Sequence, residues 1–139
     1  MSHTVVTVDS LVLREVEGRQ EVLLVTRKRP PFTGQLAFPG GHLDFNEDPE
    51  VAGLRELREE CGLQGTVVKL LAVAGQPNRD PRGHYVTVLY QVHVADLSTL
   101  KAGDDAAQAQ FYPVTDLLER PEAFAFDHHA LLRSAISLI

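Results

Sequence analysis

A single cysteine, Cys61, rules out an internal disulfide and with it the disulfide-stapled secreted scaffolds. No stretch approaches the ~20 consecutive apolar residues that a membrane-spanning helix needs. Met1 to Ser10 has no basic start followed by a long apolar run, so no secretory signal is visible. A reduced, cytoplasmic setting is the default that follows. Positive charge is scarce as well: thirteen Lys and Arg stand against nineteen Asp and Glu, a net charge of −6. That balance argues against a nucleic-acid-binding surface. Six histidines are present, but none pair at zinc spacing within a helix or with a cysteine. The adjacent His128 and His129 would point in different directions on a helix and suit surface or packing roles. Repeats, low-complexity tracts and linkers are missing too. At 139 residues, the chain suffices for one compact domain with its own core and is too short for two.

What the chain does have is concentrated between Gly41 and Leu63, GHLDFNEDPEVAGLRELREECGL. Glu56, Glu59 and Glu60 fall at i, i+3 and i+4, so on a helix they project from one face within roughly 100° of one another. Asp48 is placed to be the N-cap, Pro49 suits the first helical position, and Glu50 favours the positive end of the dipole. Gly62 stands where a left-handed residue would stop the helix. Val51, Leu54, Leu57 and Cys61 recur at helical spacing on the opposite side and are the expected buried face. Two readings of the acidic face are open. It could be a solvated surface laced with Glu–Arg pairs. Alternatively it binds a divalent cation, which removes the repulsion between clustered carboxylates and bridges them to phosphate oxygens. The preceding Phe38-Pro39-Gly40-Gly41 favours the second, because glycines let backbone carbonyls approach a ligand closely.

Around this segment the pattern reads as strands: Thr4 to Arg14, Glu21 to Arg27, a short Leu36 to Phe38, Thr66 to Ala74, His84 to Val94 and Gln110 to Val114. Thr115 to Leu118 and Asp127 to Leu138 read as helices. Ala130, Leu131, Ser134, Ile136 and Leu138 are candidate packing positions on the last. Strands and helices in this order suggest an α/β fold, a sheet covered on both faces.

The segment from Gly41 resembles the Nudix box: glycine, five residues, glutamate, seven residues, then Arg-Glu-apolar-x-Glu-Glu-x-Gly-apolar. Gly41, Glu47, Arg55, Glu56, Leu57, Glu59, Glu60, Gly62 and Leu63 occupy every defined position. The resemblance implies an α/β/α sandwich with a central mixed sheet, and hydrolysis of the pyrophosphate in a nucleoside diphosphate linked to another group. It also implies two or three Mg²⁺ or Mn²⁺ ions. Carried over residue by residue, Glu56 and Glu60 are the main metal ligands, Glu59 a further ligand or the water-activating base, and the Gly40 carbonyl a backbone ligand. Glu47 and Arg55 form an ion pair that holds the loop to the helix, and Glu47 could ligate a second metal.

The loop Gly75 to His84, with RDPRG at its centre, is similar to that of ADP-ribose pyrophosphatases in the Nudix family. Pro77, fifteen residues past Gly62, Ala102 to Ala107, and Phe126-Asp127-His128 fit the same subgroup. Arg79 and Arg82 could aim guanidinium forks at phosphate oxygens, or Asp80 could pair with one of them to pin the loop. Arg27, Lys28 and Arg29 precede two prolines and could reach a phosphate, with Arg29 taken as substrate-binding. Asp105, in the family's neighbourhood for a general base, is a candidate for that role beside Glu59. Phe32 or Tyr85 could stack on a base. The implied substrate is ADP-ribose. Modified nucleoside triphosphates, dinucleoside polyphosphates and other nucleotide sugars are the alternatives within enzymes, and a non-catalytic ADP-ribose-type sensor is the alternative outside them. Sensors of that kind add a DNA-binding helical domain, for which the chain is expected to have no room. The long N-terminal strand region could pair or swap in a homodimer.

Overall fold

Ser10, Leu11 and Val12 are consecutive and all buried. On a strand successive side chains point to opposite faces, so such a run marks a segment covered on both sides or one where the chain changes sheets. In the computed structural model, which describes residues 3–101 and 109–139, the chain changes sheets here. The strand expected over Thr4 to Arg14 is two: β1 (Val5–Leu11) and β2 (Leu13–Val16). The break falls at Val12, whose carbonyl accepts a hydrogen bond from the Leu23 amide at 3.0 Å.

The remaining elements are β3 (Arg19–Thr26), β4 (Leu36–Ala37), β5 (Gly40–His42), α1 (Pro49–Cys61), β6 (Thr66–Ala74), β7 (Tyr85–His93), β8 (Ala109–Pro113), α2 (Val114–Leu118) and α3 (His128–Ile136). One sheet has the order β5-β1-β7-β6 and is mixed: β1 runs parallel to β7 and antiparallel to β5. The other, β2-β3-β4 with β8 also on β3, is antiparallel throughout. β6 lies at the open edge of the mixed sheet and leaves Val68, Leu70 and Val73 exposed.

Two cores follow from strand alternation. Leu23 and Val25 of β3, with Val8 and Val92, pack against Ala52, Leu57 and Cys61 of α1. Val22 and Leu24, with Leu11 and Leu89, pack instead with Leu117 of α2 and Leu132 of α3. Helices therefore cover the strands on both sides, the expected α/β/α sandwich with a mixed sheet.

Helix α1 is stopped and started as its caps dictate. The Asp48 carboxylate accepts from the Glu50 amide at 2.8 Å, and Gly62 adopts φ 72° with its N–H on the Arg58 carbonyl. Its buried face differs from expectation: Ala52, Gly53, Leu57 and Cys61 face inward, and Val51 is exposed. Gly53 explains the rotation, since a Cβ there would sit 3.1 Å from the Val8 side chain, so the helix lies on β1 along its smallest residues. Helix α3 is likewise turned. His128, Leu132 and Ala135 are buried and Leu131 and Ile136 pack at the margin, whereas Ala130, Ser134 and Leu138 are exposed.

Leu57 is fully buried between α1 and the sheets. Leu57→Ala should cost about 2–5 kcal/mol of unfolding free energy, read from urea denaturation. A cost under about 1 kcal/mol would contradict this packing.

Candidate active site

The glycine turn is shaped by the carboxylates around it. A Cβ on Gly41 would lie 2.6 Å from the Glu56 carboxyl carbon, so only glycine lets that side chain close on the backbone. A Cβ on Gly40 would lie 2.0 Å from Asp9 Oδ1 and 2.4 Å from the Val8 carbonyl oxygen. The Gly40 N–H meanwhile donates to Glu60 Oε1 at 3.0 Å. Three carboxylates thus converge on two residues: Glu56 and Glu60 from α1, Asp9 from β1.

Arg55 organises the outer half of this cluster. Its Nε and Nη2 form a two-pronged pair with Glu47 at 2.8 and 3.0 Å. Nη1 donates to Glu56 at 2.9 Å and to Glu59 at 3.3 Å, and Nη2 also reaches the His42 carbonyl at 3.1 Å. Hydrogen bonds from Arg55 and from the Asp44 amide hold the Glu47 carboxyl below its usual range, and Glu47 raises the Arg55 guanidinium in return. The expected Glu47–Arg55 pair is therefore present, and it is the centre of a larger web. Glu59 is the outermost of the three helix glutamates, with more than half of its side chain in solvent.

Glu60 lies inside the web's reach but outside its charge compensation. The Arg27 and Lys101 charges favour its ionised form but are outweighed. Burial, and then the Glu56 charge, push its carboxyl up to about 7, against the stabilising Gly40 hydrogen bond. Burial first, and then Glu60, raise the Asp9 carboxyl as well. Carboxylate oxygens beside a glycine backbone are the hard donor set that Mg²⁺ or Mn²⁺ prefers. Among the described residues, no three His, Cys, Asp or Glu side chains group closely enough to form a cage alone. That suits Mg²⁺, which takes one or two carboxylates and fills its remaining positions with water and substrate oxygens. The residues fit the ion.

Two clefts meet at this turn. One, of about 260 Å³, is walled by Val25, Ala37 and Ala109, with Lys28 and Arg29 at its rim and Glu60 within it. The other, of about 210 Å³, is polar, with Thr7, Asp9, Thr87 and His128 among its lining. Arg27, Ala37, Phe38 and Gly40 line both. Arg29 is thus on the first cleft, and Arg79 and Arg82 are on the second. Each of the latter two is already engaged by a carboxylate. Arg79, nearly buried, grips Asp127 with both prongs at 2.9 and 2.6 Å and donates to the Thr87 hydroxyl at 2.7 Å. Arg82 pairs with Asp80 at 2.8 Å, which pins the loop, and it lies 4.7 Å over the Tyr85 ring. Phe32 packs edge-on against Phe126 rather than standing free. Asp105, with Asp104 and the rest of Ala102 to Ala107, lies outside the described residues.

Sequence reasoning passed over Asp9, gave His128 only a surface or packing role, and named Arg27 among the residues that could reach a phosphate. Among the described residues Arg27 makes no ion pair: it donates to the Pro31 and Arg29 carbonyls and sits 4.9 Å over Phe126. Asp9 had a readable signal, a lone acid within Val5 to Leu11. His128 is buried, its Nδ1 accepting the Phe38 N–H at 3.1 Å, so in the neutral ring Nε2 carries the proton and faces Asp9 Oδ2 at 3.5 Å. Burial brings the imidazole down to about 4.

The raised Glu60 carboxyl has a measurable consequence without metal. Its burial cost is absent below the usual 4.5, where the group is protonated folded or unfolded, and is fully felt above about 7. Glu60→Gln should therefore melt higher than the metal-free parent at pH 8, with the gap closing by pH 4.5. His128 pulls stability in the opposite direction over part of this range, but it is common to both proteins and cancels in the difference. Adding Mg²⁺ at pH 8 should raise the melting temperature of the parent and not of the variant. A gap that does not change with pH would contradict the burial of this charge.

The NUDIX domain family matches residues 3–134. The chain is 39% identical over 131 residues to the ADP-ribose pyrophosphatase of Methanocaldococcus jannaschii, a match covering 94% of this chain and 72% of that one. It is 33% identical over 135 residues to the ADPR responsive transcriptional repressor NtrR of Acinetobacter baylyi, covering 94% of this chain but 52% of the repressor. Among solved structures, the NUDIX domain of Shewanella oneidensis NrtR, cocrystallised with ADP ribose, superposes with a TM-score of 0.81 at 28% identity. That likeness covers 99% of this chain and 90% of that one. With a family match running from residue 3 to residue 134 and an enzyme relative 39% identical over nearly all of it, the chain belongs to the Nudix family, as a pyrophosphohydrolase.

Proposed function

We propose that this protein hydrolyses ADP-ribose to AMP and ribose 5-phosphate, using two or three Mg²⁺ or Mn²⁺ ions held at the glycine turn. The observation that carries the reading is the convergence of Glu56 and Glu60 on Gly40 and Gly41, at the junction of two clefts. A diphosphate bridge with a bulky group on each side matches that layout. The relationship to an ADP-ribose pyrophosphatase and to a NUDIX domain that binds ADP ribose supports the choice of substrate.

Glu56, Glu60 and the Gly40 carbonyl would hold the ions, with Glu59 at the solvent side. When bound, the cations supply positive charge to the phosphate oxygens and lower the pKa of water. The chain's own part is to place and to deprotonate. Arg55 keeps Glu56 and Glu59 aimed at the turn. Glu59, or Asp105, takes the proton of the attacking water. Arg27, unpaired with any described acid and lining both clefts, binds a phosphate directly. Arg29 adds charge at the rim, and Arg79 and Arg82 face the substrate from behind their carboxylate partners. A reduced, cytoplasmic setting suits this small-molecule chemistry and the buried Cys61 thiol, which burial pushes up to about 12. A homodimer paired through the N-terminal strands is compatible with it.

A second reading, an ADP-ribose sensor, is favoured by the similarity to the NtrR repressor and would bring a DNA partner to the full protein. A panel of ADP-ribose, 8-oxo-dGTP, diadenosine tetraphosphate and NADH in Mg²⁺ separates these. ADP-ribose should have the highest kcat/KM. A tenfold preference for another member would overturn the substrate, and tight ADP-ribose binding without turnover would favour the sensor.

Two variants test the residue roles. Glu60→Gln should lose about 100-fold or more in kcat while staying folded, since even partners of metal ligands cost about 10–100-fold. Arg27→Ala should raise KM roughly 10-fold to 100-fold, the worth of a hydrogen bond to a charged group. Parent-like turnover in the first would refute the metal assignment; an unchanged KM in the second would remove the phosphate contact.

A further inference from the structure

Between β4, which ends at Ala37, and β5, which begins at Gly40, two residues carry the chain into the turn without strand pairing. Pro39 has no N–H to give. The Pro39 carbonyl accepts from the Ser10 amide at 2.9 Å, and the Phe38 N–H donates to His128 Nδ1 at 3.1 Å. This second bond is buried and joins residues 90 apart in sequence. The same imidazole presents Nε2 to Asp9 Oδ2 at 3.5 Å. Asp9 is paired in register with Gly40, and its other oxygen fills the space that a side chain on Gly40 would need. One ring therefore touches the turn from two flanks, through Phe38 in the β4–β5 connection and through Asp9 on β1.

The ring itself is held. Phe38 and Phe126 pack on it with centroids at 5.1 and 5.5 Å, and the neighbouring Asp127 is locked by the two-pronged Arg79. A helix cap would ordinarily use the Asp127 carboxylate on the α3 amides, but no such bond forms. That carboxylate is spent on Arg79, which fixes the start of α3 to the Gln76–Gly83 loop and to β7.

We propose that His128 is a positioning residue for the cation site: its hydrogen bond to Phe38 sets the Gly40–Gly41 turn, and so sets divalent-metal affinity from the far side of the sheet. This rests on the assignment of Glu56, Glu60 and the Gly40 carbonyl as the metal's ligands. The Phe38 amide is the operative contact, because it fixes the backbone that leads directly into Gly40 and thence to Glu60 Oε1.

Three substitutions separate the two contacts. In His128→Asn the amide oxygen takes the place of Nδ1 and keeps the Phe38 bond while losing Asp9. In His128→Gln the longer amide reaches the place of Nε2 and keeps Asp9 while losing Phe38. His128→Ala loses both. Mn²⁺ binding to the nucleotide-free protein is read from the loss of the free-ion EPR signal, alongside melting temperature and steady-state kcat and KM. His128→Asn should bind Mn²⁺ within about threefold of the parent, and His128→Gln about tenfold or more weakly, the range usual for groups that orient metal ligands. At saturating Mn²⁺, the kcat of His128→Gln should recover toward the parent value.

Equal Mn²⁺ affinity in His128→Gln and the parent would overturn the proposal, as would equal weakening in His128→Asn and His128→Gln. If His128→Ala fails to fold, the comparison of Asn with Gln still decides. A parent protein that binds no Mn²⁺ at all would overturn the metal assignment together with this inference. A parent that binds it, with Glu60→Gln defective and His128→Gln intact, would overturn the inference alone.

Discussion

Like charge packed against a glycine backbone is the constraint from which the rest of this molecule takes its shape. A side chain on Gly40 would meet Asp9 and the Val8 carbonyl, one on Gly41 would displace the Glu56 carboxylate, and Glu60 accepts the Gly40 amide. In a partly dry place such carboxylates repel one another far more than they would in water. The protein answers with one arginine that gathers the outer members. Arg55 spreads its donors over Glu47, Glu56 and Glu59, whereas Glu60 accepts the Gly40 amide.

The parts that hold this cluster come from widely separated stretches. β1 supplies Asp9, the β4–β5 turn the glycines, α1 the glutamates, and α3 the imidazole beneath them. Each element is anchored in one of two cores, with β3 contributing alternate residues to both. The site sits between the two cores of the sandwich, and the loop from Gln76 to Gly83 also borders it.

Much of this was legible in sequence, and what was legible is local. The box from Gly41 to Leu63, the Asp48 cap, the Gly62 stop and the Glu47–Arg55 pair depend on spacings of a few residues, and all are found in place. β6 begins and ends where expected. The errors come from tertiary choices that periodicity does not encode. Val51 satisfies helical spacing yet faces water, because Gly53 lets the helix settle along a different line. The α3 face is turned so that His128 and Leu132, rather than Ala130 and Ser134, go inward. Asp80 was legible as a carboxylate that could pin the loop, and it takes Arg82, but the partner of Arg79 was not. Asp127 lies 48 residues from Arg79. The Phe38–His128 bond and the Asp9 contact span still longer separations, beyond any window of local pattern. Asp9 itself offered a clue, a solitary acid in a β-branched run where burial without a purpose would be costly.

The outer rim of the mixed sheet has a consequence for how the protein behaves in solution. β6 offers nine residues of strand at a free margin, with Val68, Leu70 and Val73 turned outward. A ribbon of that kind is a template on which other chains can add, the first step toward colloidal aggregation. Lys69 stands in its midst, and two register irregularities, between Val67 and Lys69 and between Leu70 and Ala72, disturb its regularity. A charge and a bend in an otherwise greasy margin act as gatekeepers, keeping molecules apart at high concentration.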